Sequence, residues 1–289
     1  ENLTTPRFMI SGTGMRFDRL RIRTPESDAR LSYLYFDYDT WKSYGDFLHR
    51  VNIRSEFNSS LVSFRTIAYF AQGLRDWQSV FRDASGTVSG TVAAMRGSIG
   101  EVTVRDTKVG LRFAIDGLPD VENTRFVFDV ASLQTNAADI EYILQDIAGV
   151  SLGKNLPMVE RAGRIGFSGH FDGLFRDFTA SGDLNTEWGR ATVRFDVEPS
   201  EHAAASFRGS VETADFETGR LLDVRKLGRV TLGADVTGVF GEAFGMQARA
   251  RIPKLEFNGY AYGDLALDGR FENRKFTGNI ASADPNIAF

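Results

Sequence analysis

Apolar and polar side chains alternate along most of this chain. Ala191, Val193, Phe195 and Val197 interleave with Thr192, Arg194 and Asp196. Phe244, Met246, Ala248, Ala250 and Ile252 interleave with Gly245, Gln247, Arg249 and Arg251, and Leu265 and Leu267 lead through Gly269 to Phe271. Beyond the turn "ENRK" (272–275) the spacing resumes at Phe276, Gly278 and Ile280. A period of two predicts strands with one apolar and one polar face. The short polar turns between them predict hairpins arranged as a meander.

Three stretches switch to the helical period. Ile140, Ile143, Leu144 and Ile147 form an i, i+3, i+4, i+7 stripe, predicting a helix from about Asn136 to Ala148. Thr135 or Asn136 can cap its free N–H groups, and Gly149 suits its C-terminal end. Ile67, Phe70, Ala71 and Leu74 predict a second helix over roughly 66–77, and "TGRLLDV" (218–224) predicts a short third. Each follows a strand and starts at the same signature of an apolar residue, a polar one and threonine. The copies are Phe64-Arg65-Thr66, Leu133-Gln134-Thr135 and Phe216-Glu217-Thr218. A glycine-punctuated strand comes after each, at 85–99, 163–178 and 228–244. In the first two, Gly90, Val92, Met95 and Ile99 match Gly169, Phe171, Leu174 and Phe178. Three tandem units of strand, short helix and meander describe this economically. The expected organisation is one continuous elongated domain: leading strands at 1–60, then repeat units at 61–130, 131–210 and 211–289.

Glycine weakens strands, yet "GRIGFSGHFDG" (163–173) and "GRVTLGADVTG" (228–238) are rich in it. Recurrence beside inward-facing Phe, Ile and Val predicts a sheet bent by bulges and glycine kinks. Such a sheet closes into a barrel, packs on a second sheet, or stays open as a trough. Periodicity alone leaves these open.

The 289 residues carry a net charge of -4, with no block of basic residues, which argues against tracking of nucleic-acid phosphates. Without cysteine there are no disulfides, thiolate metal sites or cysteine nucleophiles. His49, His170 and His202 lie far apart, and no spacing suggests a metal site. Asp37 and Asp39 share a strand face and resemble an acidic pair, but two carboxylates on a wet face explain them as well. "GTG" (12–14) leads into a strand pattern rather than a phosphate-cradling helix. Nothing demands catalysis. Tyr33, Tyr35, Trp41 and Tyr44 cluster near the start, and both faces of "LSYLYFDYD" (31–39) are bulky. Either another layer covers that strand or it contacts something apolar. No apolar run reaches the roughly 20 residues that cross a bilayer. The chain opens at "ENLTTPRFMI" and stops at "SADPNIAF" within a strand-like pattern, which predicts a piece of a longer polypeptide.

Four stretches carry a family resemblance: 118–144, 164–197, "LGRVTLGADVTGVF" (227–240), and 256–286 with its N-G-Y-x-Y-x-x-L core and closing D-P-N. In these the chain resembles the AsmA-like superfamily, most closely the TamB-type translocation and assembly proteins of the Bacteroidetes. The resemblance implies a mainly β fold of tandem antiparallel meanders in a strongly curved, incompletely closed sheet, a β-taco-like hydrophobic groove, with a few short helices. It implies a periplasmic bridge in a Gram-negative bacterium, anchored in the inner membrane by the full-length protein. Phospholipid acyl chains are its implied cargo and an outer-membrane barrel protein its implied partner. It brings no catalytic residue, metal or cofactor. The implied groove lining is Val88, Val92, Ile165, Phe167, Phe171, Phe178, Leu184, Val193, Phe195, Val230, Leu232, Val236, Leu265, Leu267, Phe271 and Phe276. Two other classes compete: a structural or adhesive β-repeat protein with a sealed core, and an enzyme on a β scaffold using paired carboxylates.

Overall fold

A computed structural model describes residues 2–67, 78–148, 151–153, 156–200, 205–240, 245–272 and 275–284. The chain divides into two compact units, Glu1–Leu152 and Gly153–Phe289. The fold is mainly β, built of tandem antiparallel meanders with a few short helices, as the alternation predicts.

The first unit holds β1 (Asn2–Thr4), β2 (Arg7–Ile10), β3 (Gly14–Arg23), β4 (Asp28–Asp37), β5 (Asn52–Ser63), β6 (Val80–Gly90), β7 (Ala94–Val104), β8 (Thr107–Asp116) and β9 (Arg125–Thr135). Strands β2 to β9 pair in chain order, and β1 also pairs with β3. The second unit holds β10 (Ile165–Gly173), β11 (Phe178–Thr186), β12 (Gly189–Glu198), β13 (Ala205–Phe216), β14 (Leu227–Phe240), β15 (Gly245–Phe257), β16 (Tyr260–Glu272) and β17 (Lys275–Ser282), again paired in chain order. Among the described residues neither β2 with β9 nor β10 with β17 forms a ladder, so neither meander closes on itself there.

The helices are α1 (Phe47–Arg50), preceded by a 3₁₀ turn at Trp41–Asp46, then α2 (Phe64–Ile67), α3 (Ala137–Ala148), α4 (Leu156–Arg161) and α5 (Thr218–Leu222). Asn136 caps α3 as expected, its Oδ1 accepting the Asp139 N–H at 2.9 Å. The rest of the helix expected at 66–77, the C-terminal glycine Gly149 and the strand residue Phe244 lie outside the described residues.

The threonine signatures mark strand-to-helix junctions at the ends of β5, β9 and β13, every fourth strand. Each junction is tied to the hairpin formed by the two preceding strands. Thr66 Oγ1 lies 2.8 Å from Ser27 Oγ in the β3–β4 turn, and Thr135 Oγ1 lies 2.7 Å from Thr107 Oγ1 after the β7–β8 turn. At the third, Glu217 N–H donates to Trp188 O of the β11–β12 turn at 2.9 Å. After β17, the Asp284 carboxylate accepts the Gly263 N–H at 2.9 Å and the Tyr260 hydroxyl at 3.1 Å, both beyond the β15–β16 turn. The strongest clamp is Asp139 of α3, 2% exposed. It accepts from the Asp106 N–H and the Thr107 hydroxyl, both at 2.9 Å, and from the Arg105 guanidinium at 3.1 Å.

The glycines do two jobs. Gly228 and Gly233 in β14, Gly100 in β7 and Gly110 in β8 fall at register shifts, as expected of bends. Other shifts sit at non-glycine residues held in the left-handed conformation: Ser59 in β5, Asp83 in β6 and Asp215 in β13. A second set of in-strand glycines lets the neighbouring strand and the rings of the apolar face approach closely. A Cβ at Gly182 of β11 would come within 2.7 Å of the Phe167 ring on β10, and one at Gly209 of β13 within 2.6 Å of the Phe195 ring on β12. Phenylalanine therefore lies flat over its glycine neighbour and covers its backbone.

Two outcomes follow in equilibrium urea unfolding. Gly209→Ala drives a methyl into both the Arg194 carbonyl and the Phe195 ring and lowers stability by about 1–3 kcal/mol. Asp139→Ala strands three donors and costs about 2–3 kcal/mol, a loss specific to the first unit.

Candidate functional site: the apolar sheet face

Pairing register places apolar residues from strand after strand on one face of each meander. In the second unit one line across the ladders is Phe171, Ala180, Phe195, Gly209, Val236, Ala248, Gly269 and Gly278. The next is Gly169, Gly182, Val193, Val211, Ala234, Ala250, Leu267 and Ile280. Phe167, Leu184, Ala191, Thr213 and Leu232 begin a third. Phe178, Val197, Phe207, Gly238 and Met246 run along the other side, where Phe271 and Phe276 take the next two register positions. The side chains of Phe271 and Phe276 lie outside the described residues. The opposite face carries His170, Ser181, Arg194, Ser210, Asp235, Arg249, Asp268 and Asn279 in one line.

Among the described residues the apolar face is buried most at its helix-covered end, although Phe207 towards the other end is buried as well. Ile165, Phe216, Val230 and Leu265 are buried, where α5 packs on β14 and α4 on α5. Arg161 Nε donates to Leu221 O at 2.7 Å across that helix pair. Away from it Phe167, Phe171, Phe178, Leu184, Val193, Phe195, Leu232 and Leu267 are all half-buried, with Val236 buried between them and Ile280 48% exposed. Phenylalanine is among the residues most often fully buried, so a row of half-buried rings is not a finished core. The chain exposes 17535 Å² in all. Two compact bodies of half the mass would together expose about 15,000 Å² by the usual size scaling.

The first unit repeats the arrangement. Phe8, Phe17, Leu34, Ser55, Val88, Gly97, Phe113 and Phe128 form one line, and Ile10, Met15, Phe36, Ile53, Gly90, Met95, Ile115 and Phe126 the next. Val88 is half-buried on this face. Val92 is not on a strand: it sits in the β6–β7 turn and is 5% exposed. The displacement has a simple origin. Gly90 pairs with Met95 across one hairpin, and Gly173 with Phe178 across another, both glycines having positive φ. The equivalent of Phe171 is therefore Val88, and matching Gly90 to Gly169 shifts the comparison by four residues.

Among the described residues, arginines rather than a second layer lie over the polar face of the bulky strand β4. Tyr33 and Tyr35 point to the polar face, where the Arg16 guanidinium lies 5.7 Å from the Tyr33 ring and Arg54 lies 4.8 Å from the Tyr35 ring. Asp37 ends β4 and Asp39 lies beyond it, so they do not share a strand face. They pair separately, with Arg54 at 3.5 Å and Arg50 at 4.0 Å. His49 meets Asp46 at 2.7 Å, His170 faces Ser181, and His202 lies outside the described residues. Among the described residues no cluster of His, Asp or Glu is arranged to hold a metal ion, and no helix is long and apolar enough to cross a membrane. Hollows of about 700 Å³ and about 510 Å³ over β14–β17 are lined partly by polar-face residues, including Gln247 and Arg270 in one and Arg249 and Asp268 in the other. Their charges pair locally, Arg249 with Asp268 at 3.1 Å and Arg270 with Glu272 at 2.8 Å, rather than converging on a point.

The chain matches no family model, no curated protein and no solved structure.

At one end of the second unit the polar face carries a linked charge group. Lys254 Nζ lies 2.8 Å from Asp215 and 3.4 Å from Glu256, and Arg229 Nε lies 2.9 Å from Glu217. The hydrogen bond from Lys254 holds the Asp215 carboxyl below its usual range, and the same bond raises the Lys254 ammonium. Asp215, with a depressed folded pKa, contributes stability above the usual carboxylate range and loses it as pH falls. Lys254, with a raised one, contributes below the usual lysine range and loses it as pH rises. The Tm difference between the wild-type chain and Asp215→Asn should therefore be largest near neutral pH. It should close towards both acid and alkaline extremes in a calorimetric series.

Proposed function

We propose that this chain is a segment of a non-enzymatic lipid conduit whose apolar sheet face receives phospholipid acyl chains. The observation that carries the reading is the run of half-buried Phe, Val and Leu side chains across the described strands of the second unit, interrupted by buried Phe207 and Val236. An acyl chain gains about 0.8 kcal/mol per buried methylene, so such a face holds one without polar recognition. Strands pair about 4.8 Å apart, and each added hairpin lengthens the lining. The resemblance to TamB-type members of the AsmA-like superfamily supports the same reading. It extends it to a periplasmic bridge between inner and outer membranes of a Gram-negative bacterium, with an inner-membrane anchor and an outer-membrane barrel partner belonging to the full-length protein. A role in outer-membrane protein assembly is part of that extension.

The test is photocrosslinking of phospholipid to a benzoylphenylalanine placed at Phe171, combined with mass spectrometry of organic extracts of chain purified without detergent. Phospholipid in the extract and on Phe171 is the expected result. Phe195→Asp should abolish crosslinking and leave the far-ultraviolet circular dichroism intact. Unfolding of that variant, together with a lipid-free extract of the wild-type chain, would show instead a sealed structural core.

A further inference from the structure

The first unit's apolar face continues into a line of aromatic rings that leaves the sheet. Ring centroids step from Phe8 to Phe17 (4.9 Å), Phe36 (6.5 Å), Phe47 (5.7 Å), Tyr44 (5.8 Å) and Trp41 (5.9 Å). Phe8, Phe17 and Phe36 belong to strands β2, β3 and β4. The other three belong to the β4–β5 connection, at the end of the sheet away from the β3–β4 hairpin and its tie to α2. Tyr38, 3% exposed, wedges against both Trp41 at 5.2 Å and Tyr44 at 5.0 Å. This foundation is firm: the Tyr38 hydroxyl donates to Ser11 O at 3.1 Å, the Ala93 N–H donates to Leu48 O at 2.9 Å, and Val51 has no exposure at all. Yet Trp41, stacked on Tyr44, remains 49% exposed.

A second observation marks the same place. Ser43, with no exposure, and Tyr44 present the two buried side-chain oxygens that have no hydrogen-bond partner among the described residues. Buried hydroxyls are normally paired, and these two flank each other beside the exposed indole. The rim charges cancel: Asp39 faces Arg50, and Asp46, which meets His49, is matched by exposed Lys42. An apolar track ending in a half-exposed, amphipathic indole with a balanced rim matches the boundary between acyl chains and headgroups in a bilayer.

We propose that the Tyr38–Trp41–Tyr44–Phe47 cluster seats against a bilayer interface, and that its ring line is the path by which an acyl chain passes between the bilayer and the apolar face. This rests on the acyl-binding reading of that face. Exposed Trp41 enters the headgroup layer, where its indole N–H meets lipid ester or headgroup oxygens, and the buried Tyr38 and half-buried Tyr44 rings hold it there. Because the rim is balanced, zwitterionic lipid suffices and salt has little effect.

The test uses the full chain and phosphatidylcholine vesicles brominated near the ester end of one acyl chain. Tryptophan fluorescence is read in the wild-type chain and in Trp41→Phe, which keeps the ring stack. Quenching in the wild type that falls by more than half in the variant supports the proposal. Trp41→Ser should weaken vesicle partition roughly tenfold, at low and high salt alike, with circular dichroism unchanged. Equal quenching in both chains, or none, overturns it. Lipid extraction from the same preparations separates the two readings. Lipid in the extract without Trp41 quenching overturns the docking proposal and leaves the acyl-binding reading standing. Trp41 quenching with a lipid-free extract overturns the acyl-binding reading, and the passage with it.

Discussion

Register is the constraint on which everything else in this molecule depends. Side chains on a strand change face at every residue, so a slip of one position in any ladder would exchange the two faces. In the second unit such a slip between β12 and β13 would put Arg208, Ser210 and Glu212 on the face of Phe171, Val193 and Phe195. The ladders prevent it with polar devices that work only in the correct register. Thr192 donates to Asp183 at 2.7 Å, Thr179 to Asp196 at 2.9 Å, and Arg249 pairs with Asp268 at 3.1 Å across β15 and β16. Each such exposed pair is worth only a few tenths of a kcal/mol. Repeated across the meander, they specify alignment more than they add stability.

A sheet that leaves its apolar face half-covered needs stiffness from elsewhere, and the structure supplies it at the ends. Every fourth strand is tied to the hairpin behind it, through Thr66, Thr135, Glu217 and Asp284. These ties, the Asp139 clamp and the α4–α5 pair hold hairpin tips that would otherwise fray. Between the ends, glycine and phenylalanine exchange places on neighbouring strands, so that rings lie along the sheet instead of standing up from it. A face paved this way is apolar and low in relief. A sealed sandwich would instead interdigitate upright side chains from two layers.

The strands, their two faces and the capped helix at 137–148 were legible in the sequence because each depends on local periodicity and local capping. So was the position of the strand-to-helix junctions, marked by three threonines. The role of those threonines was not, since the hairpin residues they touch lie 28 and 39 positions away for Thr135 and Thr66. Glycines foretold the irregularities at Gly100, Gly110, Gly228 and Gly233, but those at Ser59, Asp83 and Asp215 use residues with no positional signature for a left-handed backbone. Helices α1 and α4 are too short for a periodic stripe. Val92 shows the remaining failure: pattern matching without gaps cannot see that two hairpins turn at different points relative to their glycines.

The half-covered face and the aromatic line in the first unit are physically one problem. An apolar surface exposed to water is costly at about 25 cal/mol per Å², and the expense is tolerable only when something else covers it for most of the time. On the proposed reading, a guest that slides needs a lining whose grip changes little from one position to the next. The repeated lines of Phe, Val, Leu and Gly would offer that, since each hairpin presents nearly the same surface as the last. A lining so uniform has no preferred stopping place. Under the same proposal, selection of what enters falls where the surface changes character, and in the first unit that change comes at Trp41, whose ring carries a polar N–H and is half exposed.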